Sequence, residues 1–194
     1  MGGQGDEDIP VASRSPDMSL TQDDSFTATS RAGLIYPWGD AAPQAGETIR
    51  IANGISWARI PMPGSLGHIN SWLLDDGDDG VAVVDTGLCL KLCSDGWKAL
   101  FAGDLADQQI SRIICTHLHP DHIGLAGWLA KKFEAKIWMT RGEMLTARSI
   151  IADTSETVPD EVVIQSRLAG WDEAQIQTFM EHGWGRFHAL VYPL

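Results

Sequence analysis

Thr116-His117-Leu118-His119-Pro120-Asp121-His122 gathers three of the chain's six histidines into six residues, with an aspartate before the last of them. Arg112-Ile113-Ile114-Cys115-Thr116 leads into it as the short apolar run of a buried strand. Ile123 to Phe133 follows, with Leu125, Trp128 and Leu129 at the spacings of a helix that faces a core. The histidines therefore fall on a strand-to-helix turn, and open α/β sheets gather ligands at the carboxyl ends of their strands. Imidazole and carboxylate donors suit Zn2+, with Fe or Mn also compatible. A polar loop whose histidines cap the next helix is the plainer alternative, but four donors this dense at a strand end favour a metal. His117 and His119 can point to one side of the turn while Asp121 and His122 continue around it, offering two ligand pairs for two adjacent ions.

The flanking segments read as a layered α+β domain in which strands alternate with helices. Thr48 to Ile51 and Ile55 to Ile60 alternate with period two, as half-buried strands do. The Pro61–Gly67 stretch is a loop or hairpin tip by its Pro and Gly content, and His68-Ile69-Asn70-Ser71-Trp72-Leu73-Leu74 is a further strand. An acidic turn over residues 75–80 leads to Val81-Ala82-Val83-Val84, which is continuously apolar, as a strand covered on both faces is. Ser94 is a candidate cap for a helix bearing Trp97, Leu100, Phe101 and Leu105. A strand over residues 136–140 and helices over about 142–151 and 171–181 complete the pattern. Trp72, Trp128 and Trp138 read as core, and Cys115 as core packing. Residues 1–30 carry six acids, one arginine and scattered apolar side chains, which predicts an acidic, disordered tail ahead of a domain over 31–194.

The chain has 194 residues, 44% of them hydrophobic, and a net charge of −12. Those values describe one globular domain. An acidic chain whose basic cluster is only Lys131, Lys132 and Lys136 disfavours a nucleic-acid partner, because phosphate binding needs a basic surface. No apolar run is long enough to span a membrane, and the first residues lack the basic and apolar regions of a secretory signal. Three cysteines without a Cys-x-x-Cys pattern fit a reducing, cytoplasmic setting.

The 116–122 stretch resembles the His-x-His-x-Asp-His hallmark of the metallo-β-lactamase-fold superfamily. His68 to Leu74 looks like that family's strand carrying His-x-Asn, and Val83-Val84-Asp85-Thr86-Gly87 like its strand ending in Asp-x-Gly. The resemblance implies that His117 and His119 bind a first metal and that Asp121 and His122 bind a second. It implies two Zn2+ in a complete site, with Fe or Mn possible. Asp85 becomes a carboxylate behind the metal ligands that orients the motif turn, since metal-bound histidines need such a partner. Asp121 becomes the catalytic group that orients the attacking water and accepts its proton. Trp57, Met62 and Leu66, around the Pro-rich loop, are where the family's substrate hairpin would overhang the metals.

The resemblance further implies a hydrolase whose metal-activated hydroxide attacks the carbonyl of a small ester, lactone, thioester or β-lactam, nearest to the glyoxalase II and lactonase branch. Alternatives within the fold are a phosphodiesterase or nuclease and an iron-dependent oxidoreductase. Outside catalysis, a binding or dimerising fragment remains. The family's fold is a four-layer αββα sandwich of two halves, and its other ligands come from the second half. Only His182 and His188 follow the motif, neither in the setting of a further ligand, and no aspartate lies beyond Asp172. The expectation is therefore a first half only, weakly active or inactive alone, with a bare sheet face that a homodimer or other association would cover.

Overall fold

The computed structural model describes residues 26–153, 157–182 and 187–194. Most of the expected tail, residues 1–25, lies outside the described residues. Its far end is ordered: β1 (Thr29–Arg31) pairs antiparallel with β2 (Leu34–Tyr36), a hairpin missed in the sequence because both strands are three residues long and lack a buried face.

Six further strands form one sheet in chain order: β3 (Ile49–Ala52), β4 (Ile55–Pro61), β5 (His68–Asp75), β6 (Val81–Val84), β7 (Ile110–Ile114) and β8 (Lys136–Trp138). The first four are antiparallel, as short loops require, while β6, β7 and β8 run parallel because helices connect them. The β4–β5 hairpin turns through a single 3-10 turn at Gly64–Leu66, with Met62 N donating to the Gly67 carbonyl at 2.8 Å. The connection from β6 is α1 (Lys91–Ala102), and that from β7 is α2 (Pro120–Ile123) followed by α3 (Ala126–Phe133). Beyond β8 come α4 (Arg141–Ala152), α5 (Asp160–Leu168), α6 (Glu173–His182) and α7 (Phe187–Leu190). Among the described residues no helix is long and apolar enough to cross a membrane.

Strand alternation assigns the two faces of the sheet. Ala58, Ile60, Leu73, Val83 and Ile113 point to the side where α1 and α3 lie and are buried with Trp97, Leu100 and Leu129. Trp97 is fully buried because its indole N–H finds the Thr86 carbonyl at 2.7 Å. On the opposite face the register aligns Ile49, Trp57, Trp72, Val84, Ile114 and Trp138 in one row across all six strands. Trp138, expected in the core, is 54% exposed, because it ends this row on the edge strand β8. Its neighbour in the sheet, Arg112, lies 5.1 Å over its ring.

Two helix starts differ from the sequence reading. The first helix begins at Lys91, so Ser94 is not its cap but donates back to the Lys91 carbonyl from inside the first turn. The helix expected from Ile123 to Phe133 is broken into α2 and α3 around Gly124 and Leu125. Both residues are drawn onto β6's exit: Leu125 N donates to the Gly87 carbonyl and to Thr86 Oγ1, each at 3.1 Å. The end of the chain returns to the same place, with Tyr192 N donating to the Gly124 carbonyl and Cys89 N to the Leu190 carbonyl.

Candidate metal centre

β6 and β7 are parallel neighbours, so the turns leaving their carboxyl ends lie side by side. From β6 comes Asp85, in the left-handed region at φ 61, a conformation that Asp tolerates better than most residues. Ser71, on the adjoining β5, fixes this bend by donating Oγ to the Asp85 carbonyl at 2.8 Å. The Asp85 side chain is thereby aimed at the turn leaving β7. Its Oδ1 accepts Thr116 N at 2.9 Å, its Oδ2 accepts Thr116 Oγ1 at 2.8 Å, and the same Oδ2 stands 2.8 Å from His122 Nδ1. Burial alone would raise the Asp85 carboxyl, but the hydrogen bonds from His122 and from the Thr116 backbone and hydroxyl outweigh it and hold the group below its usual value. The hydrogen bond to Asp85 raises His122, with the charges of Asp85 and Asp121 adding to it against the pull of burial.

The motif turn follows from its own sequence. His119 is the N-cap of α2 and Pro120 its first residue, where a missing N–H costs nothing. The first turn of α2 then carries Asp121 and His122 next to the strand end. Thr116 is a hub, its hydroxyl lying 2.9 Å from His117 Nδ1 as well as bonding Asp85. The His117 ring centroid is 4.0 Å from that of His122 and 4.6 Å from that of His119. His117 Nε2 is 3.0 Å from His119 Nδ1, and His122 Nε2 is 3.3 Å from Asp121 Oδ2.

The structure thus brings His117, His119, Asp121, His122 and Asp85 into one cluster. Its polar groups meet in hydrogen-bonded pairs, and among the described residues no three donors close around a common point. The donor set still fits a divalent cation: three imidazoles and a carboxylate are zinc-type ligands, and His122 Nδ1 already bears the carboxylate partner that metal-ligating histidines carry.

The three residues expected over the metals are not brought together. Met62 is 6% exposed within the core on the helix side, because β4's alternation continues past Pro61, so it cannot overhang the turn. Trp57 lies in mid-strand with its indole N–H donating to Asn70 Oδ1 at 2.9 Å. Leu66 alone stands on the hairpin tip, 66% exposed. Cys115 is buried as core, and its thiol is pushed up to about 12 by burial and then by the charge of Asp85. His182 ends α6, and His188 is exposed on α7.

The family described as the metallo-beta-lactamase superfamily matches residues 64–190. The chain belongs to the metallo-β-lactamase superfamily. Among solved structures, a beta-lactamase domain protein from Burkholderia ambifaria is similar at 32% identity and a TM-score of 0.63, over 80% of this chain and 44% of that one. A metallo-beta-lactamase family protein from Thermus thermophilus shares the fold at 24% identity and a TM-score of 0.50, over 73% of this chain and 44% of its own. The chain thus spans less than half the length of these two structures, as a partial sandwich does. No curated protein matches it.

Two supports of this superfamily turn escaped the sequence reading. Glu143 Oε2, on α4, accepts the Leu118 backbone N–H at 2.6 Å and so straps the middle of the histidine turn. Its signal was present: Thr140 and Glu143 have capping-box spacing, and Thr140 Oγ1 does accept from Glu143 N, but the carboxylate goes to the turn instead of back to the cap. Ser71, the other, looked like an ordinary buried strand position.

Proposed function

We propose that this chain is the metal-binding part of a hydrolase acting on a small ester, lactone, thioester or β-lactam. The observation that carries the reading is the Asp85–Thr116–His122 network, which holds three imidazoles within ring contact on one turn. Buried carboxylates are costly, and one held ionised behind a histidine turn has a use in fixing imidazole orientation. In the proposed arrangement His117 and His119 hold a first ion, and Asp121 and His122 a second. When bound, such ions supply Lewis-acid polarisation of the carbonyl and a water acidic enough to react near neutral pH.

The chain's own residues do the rest. Asp85 fixes the His122 tautomer by occupying Nδ1, leaving Nε2 as the ligating atom. Thr116 orients His117 in the same way. Asp121, half-buried with Oδ2 3.3 Å from His122 Nε2, orients the attacking water and receives its proton. A histidine rather than an arginine at position 122 favours the glyoxalase and lactonase branch, and the imidazole and carboxylate donors suit zinc, with Fe or Mn also compatible. Four donors shared between two ions leave each short of the three or four that zinc sites use, so the chain alone should bind metal weakly and turn over slowly.

Zinc titration of the protein, with elemental analysis and a panel of lactone, thioester, β-lactam and phosphodiester substrates, tests this. Weak zinc binding that disappears in His117→Ala and His119→Ala, with slow carbonyl hydrolysis that follows zinc, is the expected result. Binding indifferent to both substitutions, or cleavage confined to the phosphodiester, would overturn it.

A further inference from the structure

A cavity of about 460 Å³ lies between the β1–β2 hairpin and β4, and its lining includes Tyr36, Trp38, Trp57 and Arg59. The Arg59 guanidinium carbon stands 4.8 Å over the Trp57 ring, on the sheet face opposite α1 and α3. Among the described residues the Arg59 side chain makes no hydrogen bond and no ion pair, and its Nε is buried without an acceptor. Trp38 Nε1, on the same cavity, is likewise buried without one. Buried donors left unpaired are uncommon in native proteins. The other arginine here, Arg31, is neutralised by Asp40 at 2.5 Å. Among the described residues, therefore, one cation without an acid partner shares a cavity with three aromatic rings in a chain of net charge −12. Its field is felt nearby: after burial, the Arg59 charge is what holds His68 below the usual imidazole value.

A guanidinium takes a carboxylate by charge and by its paired N–H groups, and aromatic walls take an apolar body. A single free positive charge matches a monoanion better than a doubly charged phosphate. We propose that this cavity binds an amphipathic monocarboxylate, with its apolar body against Tyr36, Trp38 and Trp57 and its carboxylate at Arg59. Arg59 pairs with Asn70 across β4 and β5, next to Ser71, which holds the Asp85 bend. Arg59 thus lies towards the metal-turn end of the sheet, three strands from β7, or roughly 14 Å by strand spacing. The site nonetheless stands without the metal: its residues are separate from the histidine turn.

Calorimetric titration of the metal-stripped protein with phenylbutyrate, and with phenylbutanamide as its neutral isostere, is the test. The acid should bind at least ten-fold more tightly than the amide, and Arg59→Gln should remove that preference while Arg59→Lys keeps part of it. His117→Ala should leave acid binding unchanged, which separates this site from the proposed metal centre. Equal affinity for acid and amide, no binding of the acid, or full binding by folded Arg59→Gln would overturn the proposal. The acid–amide comparison uses the unaltered protein, so it decides the matter even if a variant misfolds.

Discussion

Asp85 does three things with one side chain: it caps the strand end, ties down Thr116 and orients His122. Replacing it tests whether the histidine turn is preorganised. Asp85→Asn keeps the shape but loses the charge that favours an N–H at His122 Nδ1. Zinc affinity should fall by about 10- to 100-fold, the usual cost of losing a carboxylate behind a metal ligand. Competition against a chromophoric chelator measures it, and an unchanged affinity would leave Asp85 a merely structural cap. The histidine cluster proposed to hold metal was legible in the sequence because its four donors fall within six residues and need only one turn to meet. Asp85 needed the family likeness to be noticed, being 31 residues from Thr116. Glu143 was legible only as a capping-box residue after Thr140; its actual partner, the Leu118 backbone N–H, leaves no mark in a sequence.

The turn works only if α2 and α3 come very close to the exit from β6. Gly124 makes that approach possible at an ordinary helical φ of −56, so its importance lies in space and not in backbone freedom. A Cβ there would lie 2.5 Å from the carbonyl oxygens of both Gly87 and Pro120 and 2.7 Å from Cys89 N, all of them backbone atoms that cannot swing aside. Gly124→Ala should therefore destabilise the chain by about 1–3 kcal/mol and loosen the histidine turn with it. Denaturant unfolding reads the first effect and zinc titration the second.

At the far end of the sheet, Asp76 joins the β5–β6 turn to β7, accepting from Ser111 Oγ at 2.6 Å and from Arg112 Nε at 2.7 Å. The Ser111 hydrogen bond keeps this carboxyl below its usual value; desolvation opposes it, and the Arg112 hydrogen bonds and charge add to it. A depressed value in the folded state means that the pair stabilises above the unfolded carboxyl value of about 3.9 and that this is lost as pH falls through the lower folded one. The gap in melting temperature between the native chain and Asp76→Ala should thus be full near neutrality and shrink as the solution is taken below about pH 4. A gap that widens on acidification would rule out this ion pair as its source.

Over the whole molecule, the two sheet faces explain why the partial sandwich was foreseeable and its covering was not. Alternation shows which residues share a face, and Trp57, Trp72 and Trp138 do share one, but not what lies across from them. Among the described residues the row from Ile49 to Trp138 is apolar over six strands and no helix packs on it, with Trp57 sharing a cavity with the β1–β2 hairpin at one end and Trp138 exposed at the other, while the opposite face is sealed by α1 and α3. A contiguous apolar stripe of this kind seeks burial, and for the chain alone in solution the available surface is another copy of itself. Mutual repulsion at a net charge of −12 opposes that, so association should be weak at low salt and strengthen as salt screens it. Sedimentation velocity over a range of concentration and salt should show a reversible dimer. Trp138→Glu, which places a charge at the exposed end of the row, should shift it towards monomer by at least several-fold in dissociation constant. Leu168→Glu, on α5 and 83% exposed but off the sheet, should leave the equilibrium unchanged. If Leu168→Glu dissociates the dimer and Trp138→Glu does not, the copies meet through the helices, and the bare sheet face has some other partner.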